Sequence, residues 1–82
     1  MDEVVVMTLD VLRRGGVARI VDVRGDGDSV TRLHALGFLP GRRVRHRNTA
    51  PLGDPVAYEV EGVKVSMRKA DARLVEIALE AS

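Results

Sequence analysis

The chain has 82 residues, of which 45% are apolar and 30% charged, and this is the composition of one small globular domain. It contains no cysteine, so disulfides and thiolate-bound metal are excluded. The formal net charge of +1 argues against attraction of the whole surface to nucleic acid. No apolar run approaches the roughly 20 residues that cross a bilayer, and the first residues lack the basic region of a signal peptide. We therefore predict a cytoplasmic protein without direct membrane insertion.

The predicted elements are mainly β-strands, because valine, which favours strands, occurs 14 times. Alternating apolar and polar residues between glycine- and proline-rich turns indicate about five strands and two helical turns. The strands cover 17–23, 43–48, 56–60, 63–67 and 74–79, and the helical turns cover 8–12 and 69–72. Glu61-Gly62 reads as the tight turn of a hairpin. Because closing such a sheet hides its edges, we predict a small SH3-like β-barrel.

One short inserted helix is expected between the first two strands. Three apolar residues recur at helical spacing: Val30, Leu33 and Leu36. Asp28 or Ser29 is expected to cap the N-terminus of this helix, because either side-chain oxygen can accept from a free backbone amide. Gly37 suits the left-handed position that ends a helix, and Pro40-Gly41 predicts a turn directly after it.

Residues 33–47 place apolar side chains beside a basic strand. Phe38 and Leu39 would point in opposite directions if extended, so one of them should be less buried. Residues 42–47 contain four arginines and no acid. Apolar anchors dominate interface energetics, and arginine binds carboxylate or phosphate groups. We therefore predict a partner-binding surface of six residues: Leu36, Phe38, Leu39, Arg42, Arg43 and Arg45. A plain core with a solvated strand face is the alternative.

No catalytic residue, metal site or cofactor is predicted, and we do not expect an enzyme. The two histidines, His34 and His46, are 12 residues apart, and Asp22, Asp26 and Asp28 lack the spacing of a calcium loop. No nucleophile stands beside a recognisable base, and the glycines do not match a phosphate-binding loop. The two aromatic residues are 20 positions apart, which gives single-stranded nucleic acid no stacking platform.

Two motifs are fairly specific when they occur together in this order and spacing: R-L-H-A-L-G-F-L-P-G at 32–41 and A-P-L-G-D-P at 50–55. Four further segments accompany them: M-T-L-D-V-L at 7–12, G-V-A-R-I-V-D-V at 16–23, V-E-G-V-K-V-S-M-R at 60–68 and A-R-L-V-E-I at 72–77. With these motifs the chain resembles the FeoA family, small cytosolic proteins that accompany the ferrous iron transporter FeoB.

The resemblance implies one SH3-like domain over residues 7–80, preceded by an N-terminal extension over residues 1–6. One position departs from the family pattern. His46 stands where the family usually has an apolar residue, and it shares a strand face with Val44. We therefore expect its imidazole at the interior or the rim of the barrel, where it would loosen the core locally or be half-buried.

The resemblance implies a small non-enzymatic accessory protein of ferrous iron uptake. Its expected partner is a FeoB-type ferrous iron transporter, a membrane protein with a cytosolic GTPase domain, which it would bind and modulate. Weak transition metal ion binding is also ascribed to the family, and a small barrel with open rims allows weak homo-oligomerisation. No nucleic acid partner is expected. Two alternatives stay open: a nucleic-acid-binding SH3-like module, and a metal-responsive regulatory module related to the C-terminal domain of metal-dependent repressors.

Overall fold

The computed structural model describes residues 5–80, which form mainly β structure as predicted. Six strands are present: β1 (Val6–Thr8), β2 (Val17–Val23), β3 (Arg43–Thr49), β4 (Val56–Val60), β5 (Val63–Met67) and β6 (Val75–Leu79). Helix α1 covers Gly27–Ala35, a short helix α2 covers Lys69–Ala72, and a 3-10 turn covers Leu9–Val11. The five predicted strands, the inserted helix and both helical turns are all found.

Strand β1 was not predicted, because three residues are too few to show the alternation of a strand. It covers the last residue of the predicted extension, where Val6 pairs with Ala78 on β6. Residues 1–4 of that extension lie outside the described residues.

All strand pairs are antiparallel, and the order across the sheet is β1-β6-β2-β3-β4-β5. Within residues 5–80, β1 and β5 are therefore the edge strands of the sheet. We expected backbone pairing to close the sheet, and within this described part of the chain it does not. The register shifts once in β2, between Ile20 and Asp22, and once in β3, between His46 and Asn48. Such bulges bend a strand and increase its twist, which helps the sheet to curl around its core.

The core lies inside the curl of the sheet and takes alternate residues from its strands. Its largest fully buried side chains are Tyr58, Phe38, Leu9, Ile20, Leu33, Ile77, Val44 and Val75. The hydroxyl of Tyr58 donates to the carbonyl of Leu9 at 3.4 Å. Burial, with a smaller contribution from the nearby Asp10 and Asp54 carboxylates, raises the pKa of Tyr58 to about 12.

Helix α1 begins earlier than predicted, because Asp26 caps it rather than Asp28 or Ser29. The Asp26 carboxylate accepts a hydrogen bond of 2.8 Å from the amide of Ser29, three residues on, and this bond lowers the pKa of Asp26. Asp28 instead lies in the first turn, where a negative charge favours the helix dipole. The two predicted capping residues therefore lie two and three positions after the observed one.

Two polar contacts fix α2, one to α1 and one to the 50–55 loop. The Arg32 guanidinium on α1 binds the Asp71 carboxylate on α2 through two hydrogen bonds of 2.9 and 3.1 Å, which raise the pKa of Arg32. The Asp54 carboxylate accepts from the amide of Lys69 at 3.0 Å and so joins the 50–55 loop to the start of α2. Within residues 5–80 no helix is long and apolar enough to cross a membrane.

Candidate partner-binding surface

The turn after α1 divides the apolar residues of the predicted surface into a buried and an exposed set. The amide of Gly37 donates to the His34 carbonyl and the amide of Phe38 to the Leu33 carbonyl, each at 3.0 Å. This is a Schellman ending, with Gly37 at a φ of 106°. Leu33 and Phe38 are both 0% exposed and belong to the core. Phe38 is therefore not accessible to a partner in this fold, although the sequence pattern predicted a contact, because its ring is fully enclosed.

Leu36 and Leu39 remain accessible at the same corner. Leu36 is 44% exposed and Leu39 is partly exposed. The carbonyl of Leu39 accepts from the amide of Arg42 at 3.2 Å across the predicted Pro40-Gly41 turn. Ile20 on β2 exchanges two backbone hydrogen bonds of 2.8 Å with Gly41 and Arg42. The turn is thus fixed to the sheet, and it presents Leu39 from a rigid support.

Arg42 connects this corner to the basic strand. A Cβ atom on Gly37 would lie 3.7 Å from Arg42 Nη1, so the guanidinium group extends over the end of α1. A cation is favoured there because the C-terminal carbonyls of a helix carry partial negative charge. Among residues 5–80, no carboxylate forms an ion pair with Arg42. Its charge is therefore not neutralised by a carboxylate of residues 5–80.

Strand β3 presents its arginines on the outer face of the sheet, as the alternation predicts. Arg43 lies opposite Arg19 of β2 in register. The Glu80 carboxylate lies 2.9 Å from Arg19 Nη2 and 3.6 Å from Arg43 Nε, and Arg19 also donates to the carbonyl of Gly41 at 2.7 Å. Sequence reasoning missed Arg19. The alternation of V-A-R-I-V-D-V turns it outward, but only the order of the strands places it beside Arg43.

Arg45 lies at the centre of this outer face. It is opposite Glu59 of β4 in register, but the Glu59 carboxylate lies 3.5 Å from Arg47 instead. Arg45 lines an open groove of about 460 Å³ together with Arg19, Arg43, Glu59, Glu61 and Gly62. In the described part of the chain Arg45, like Arg42, has no ion pair. The groove is therefore of mixed charge with an excess of arginine.

Five of the six predicted residues are exposed or partly exposed, and we call them the corner surface: Leu36, Leu39, Arg42, Arg43 and Arg45. Two apolar side chains lie at the helix end and its turn, and three arginines continue along the start of β3. Exposed ion pairs such as those of Arg43 contribute little to stability, typically about 0–1 kcal/mol. A partner could therefore replace them at small cost.

His46 is buried at 8% exposure, beside the inward-facing Val44. Its Nδ1 donates to the Leu12 carbonyl at 2.8 Å, and in the neutral ring Nε2 accepts from the Thr49 hydroxyl at 2.9 Å. The ring also stacks at a tilt of 48° on Tyr58, with the centroids 5.5 Å apart. Both ring nitrogens are therefore used within the fold, which explains how an imidazole is accommodated in a largely apolar core.

Residues 5–80 contain no group of three or more His, Cys, Asp or Glu side chains placed to hold a metal ion. His34 is partly exposed on α1, whereas His46 is enclosed, so the two histidines differ in surroundings. The carboxylate of Asp26 is used as the helix cap. None of these three residues is placed with the others in a metal-binding group within residues 5–80.

The corner surface lies on a small, curled six-stranded β domain, and comparison with known proteins gives the family of this domain. The model of the FeoA domain matches residues 7–79, so the chain belongs to the FeoA family, which is involved in ferrous iron transport. The chain is 38% identical over 76 residues to the Fe(2+) transport protein A/Fe(2+) transporter FeoB fusion protein of Porphyromonas gingivalis. That match covers 93% of this chain but only 9% of the fusion protein.

Two solved structures confirm the SH3-like architecture. The FeoA protein of Chlorobium tepidum is 29% identical with a TM-score of 0.84, and the match covers 92% of this chain and 71% of that one. The FeoA of Stenotrophomonas maltophilia, a prokaryotic SH3 domain protein complexed with zinc, is 28% identical with a TM-score of 0.76. The second match covers 87% of this chain and 88% of that one.

Proposed function

We propose that this chain is a non-enzymatic accessory domain of ferrous iron uptake that binds the cytosolic GTPase region of a FeoB-type transporter and modulates it. One observation carries this proposal. In the Porphyromonas gingivalis relative, a FeoA part that resembles nearly the whole of this chain is joined to a FeoB transporter in one polypeptide. Fusion holds two domains at a high effective concentration, which favours even a weak contact between them.

The corner surface is the contact that we propose. Leu36 and Leu39 would supply buried apolar area, while the arginines would orient the partner and raise the association rate. Arg42 and Arg45 suit this role because neither forms an ion pair within residues 5–80. Phe38 has no part in the contact, since reaching it would require the core to open.

Calorimetric titration of the chain into the cytosolic region of FeoB from the same organism tests the proposal. We expect saturable binding, with an affinity that changes when a GTP analogue is added. The GTP hydrolysis rate of the complex, measured in parallel, would give the direction of modulation. The titration should be repeated with the full-length transporter in detergent. Absence of saturable binding to both forms, with and without nucleotide, would overturn the proposal.

A further inference from the structure

An apolar groove lies where β1, the 3-10 turn and the end of β6 meet. Its volume is about 310 Å³, and its lining is Met7, Val11, Leu12, Arg13, Gly16 and Leu79. Val11 is 54% exposed and Leu79 is 55% exposed, although both are large apolar side chains. Large exposed apolar residues that adjoin one another, unlike single ones, mark binding surfaces. The groove is therefore a candidate binding surface.

The floor of the apolar groove is built by a close approach at Gly16. A Cβ atom there would lie 2.8 Å from the Arg13 carbonyl oxygen and 2.9 Å from Leu12 Cδ1, so only glycine lets the chain pass this close. Two backbone hydrogen bonds then fix the Gly15-Gly16 turn to His46 of β3, at 2.9 and 3.0 Å. The groove is thus preformed, and a ligand need not pay the entropy of ordering it.

A second groove, of about 540 Å³, begins on the other side of the same turn and is basic. Arg14, Arg45 and Lys64 all line it, and none of the three forms an ion pair with a carboxylate of residues 5–80. The acidic residue that lines this groove, Glu59, already forms an ion pair with Arg47. Gly15 lines the basic groove and Gly16 lines the apolar groove, so the two grooves adjoin at this turn.

We propose that the two grooves together dock an extended segment of a partner protein in which aliphatic side chains precede a run of acidic residues. The aliphatic side chains would fill the apolar groove, and the carboxylates would cross the Gly15-Gly16 turn to reach Arg14 and Lys64. Nucleic acid fits less well, because no aromatic side chain lines either groove to stack a base. This proposal is independent of the transporter contact, from which it differs in every residue except Arg45.

The test is a titration of the isotope-labelled chain, followed by NMR, with a blocked synthetic peptide of sequence LVLSEEDEDS. We expect saturable shifts at the amides of Val11, Gly15, Gly16 and Leu79. The variants Val11→Glu and Leu79→Glu should abolish saturation. Arg14→Glu should weaken affinity at least about threefold at low salt and less at high salt, because screening removes the charge contribution.

Two matched variants separate this site from a general effect of adding acid. Leu52→Glu changes a leucine that is 97% exposed in the 50–55 loop, and Arg24→Glu changes an arginine whose side chain is 67% exposed; both lie outside the two grooves. Both should bind the peptide as the original chain does. A peptide with amides in place of its carboxylates, and one with serines in place of its aliphatic residues, should each bind at least about threefold more weakly.

Three results would overturn the proposal. The first is absence of saturation at millimolar peptide, or shifts centred on Leu36 and Arg42 instead of the grooves. The second is equal displacement of the peptide by a short single-stranded DNA, which would make the occupant a nucleic acid. The third is a concentration-dependent fall in the diffusion coefficient without peptide that Leu79→Glu reverses, which would make a second copy of the chain the occupant.

Discussion

The segment from Leu33 to Arg47 has a buried side and an exposed side, and the two sides have different chemistry. The buried side consists of Leu33, Phe38, Val44 and His46, none of which is more than 8% exposed. The exposed side is the corner surface: Leu36, Leu39, Arg42, Arg43 and Arg45. Successive side chains of a strand point to opposite faces, so Val44 and His46 point into the core while Arg43 and Arg45 point outward. One motif can therefore supply core residues and present exposed leucine and arginine side chains at the same time.

The largest expected effect is loss of stability when the buried side is truncated at Phe38. Phe38→Ala should lower the free energy of unfolding by about 3–5 kcal/mol, because it removes a fully buried ring and leaves a cavity. Urea unfolding measures the change. Leu36→Ala is the matched variant on the exposed side and should cost less than about 1 kcal/mol. Equal losses from the two variants would show that the division into two sides is wrong.

His46 tests whether a polar residue on the buried side contributes to the fold. His46→Ala should lower the free energy of unfolding by about 2–3 kcal/mol, because the Leu12 carbonyl then loses its donor and a cavity opens beside Tyr58. His34→Ala, at a partly exposed helix position, is the control and should change stability by less than about 1 kcal/mol. A His46→Ala chain as stable as the original would mean that the imidazole is merely tolerated.

Tyr58 reports burial through its own titration, and it is the chain's single tyrosine. Its pKa in the fold is about 12, whereas an unfolded tyrosine titrates near 10. Because the folded pKa is raised, stability present below about pH 10 should be lost progressively as the pH rises towards about 12. Absorbance at the phenolate band, followed with circular dichroism, measures this. Phenolate formation near pH 10 in a chain that is still folded would contradict the described burial.

The smallest expected effect concerns the arginines of the exposed side. Arg43→Glu with Arg45→Glu should weaken transporter binding several-fold at low salt, and by less at high salt, because exposed charges are screened. Calorimetry at two salt concentrations measures this. Arg68→Glu, at a side chain that is 71% exposed near α2, is the charge control and should leave affinity unchanged. If the double variant binds with the same salt dependence as the original chain, the arginines only face solvent and do not contact the transporter.

Much of the fold was predictable because its signals are local. The glycines at Gly37, Gly41 and Gly62 mark turns at positive φ, and β-branched alternation marks the longer strands. The rest depends on tertiary structure. β1 is defined by its partner β6 rather than by its own three residues. Sequence also could not decide the direction of the Phe38 side chain, which follows from how the Schellman ending turns the chain towards the core.

The candidate surface was predictable in part for the same reason. Leu36 and the arginines follow from helix spacing and strand alternation. The position of Arg19 beside Arg43, and the apolar groove between Val11 and Leu79, depend on the order of the strands across the sheet. These contacts join residues that are distant in sequence, so the helical or strand periodicity of one segment cannot predict them.

The most direct test of the central claim is the affinity of a Leu36→Gln, Leu39→Gln double variant for the cytosolic region of FeoB. Its matched control is a Val21→Gln, Val63→Gln chain, which changes two exposed valines outside the corner surface. We predict at least a tenfold loss of affinity for the leucine variant, no loss for the control, and circular dichroism unchanged in both. Affinity retained by the leucine variant, or lost equally by both, would contradict the proposed contact at the corner surface.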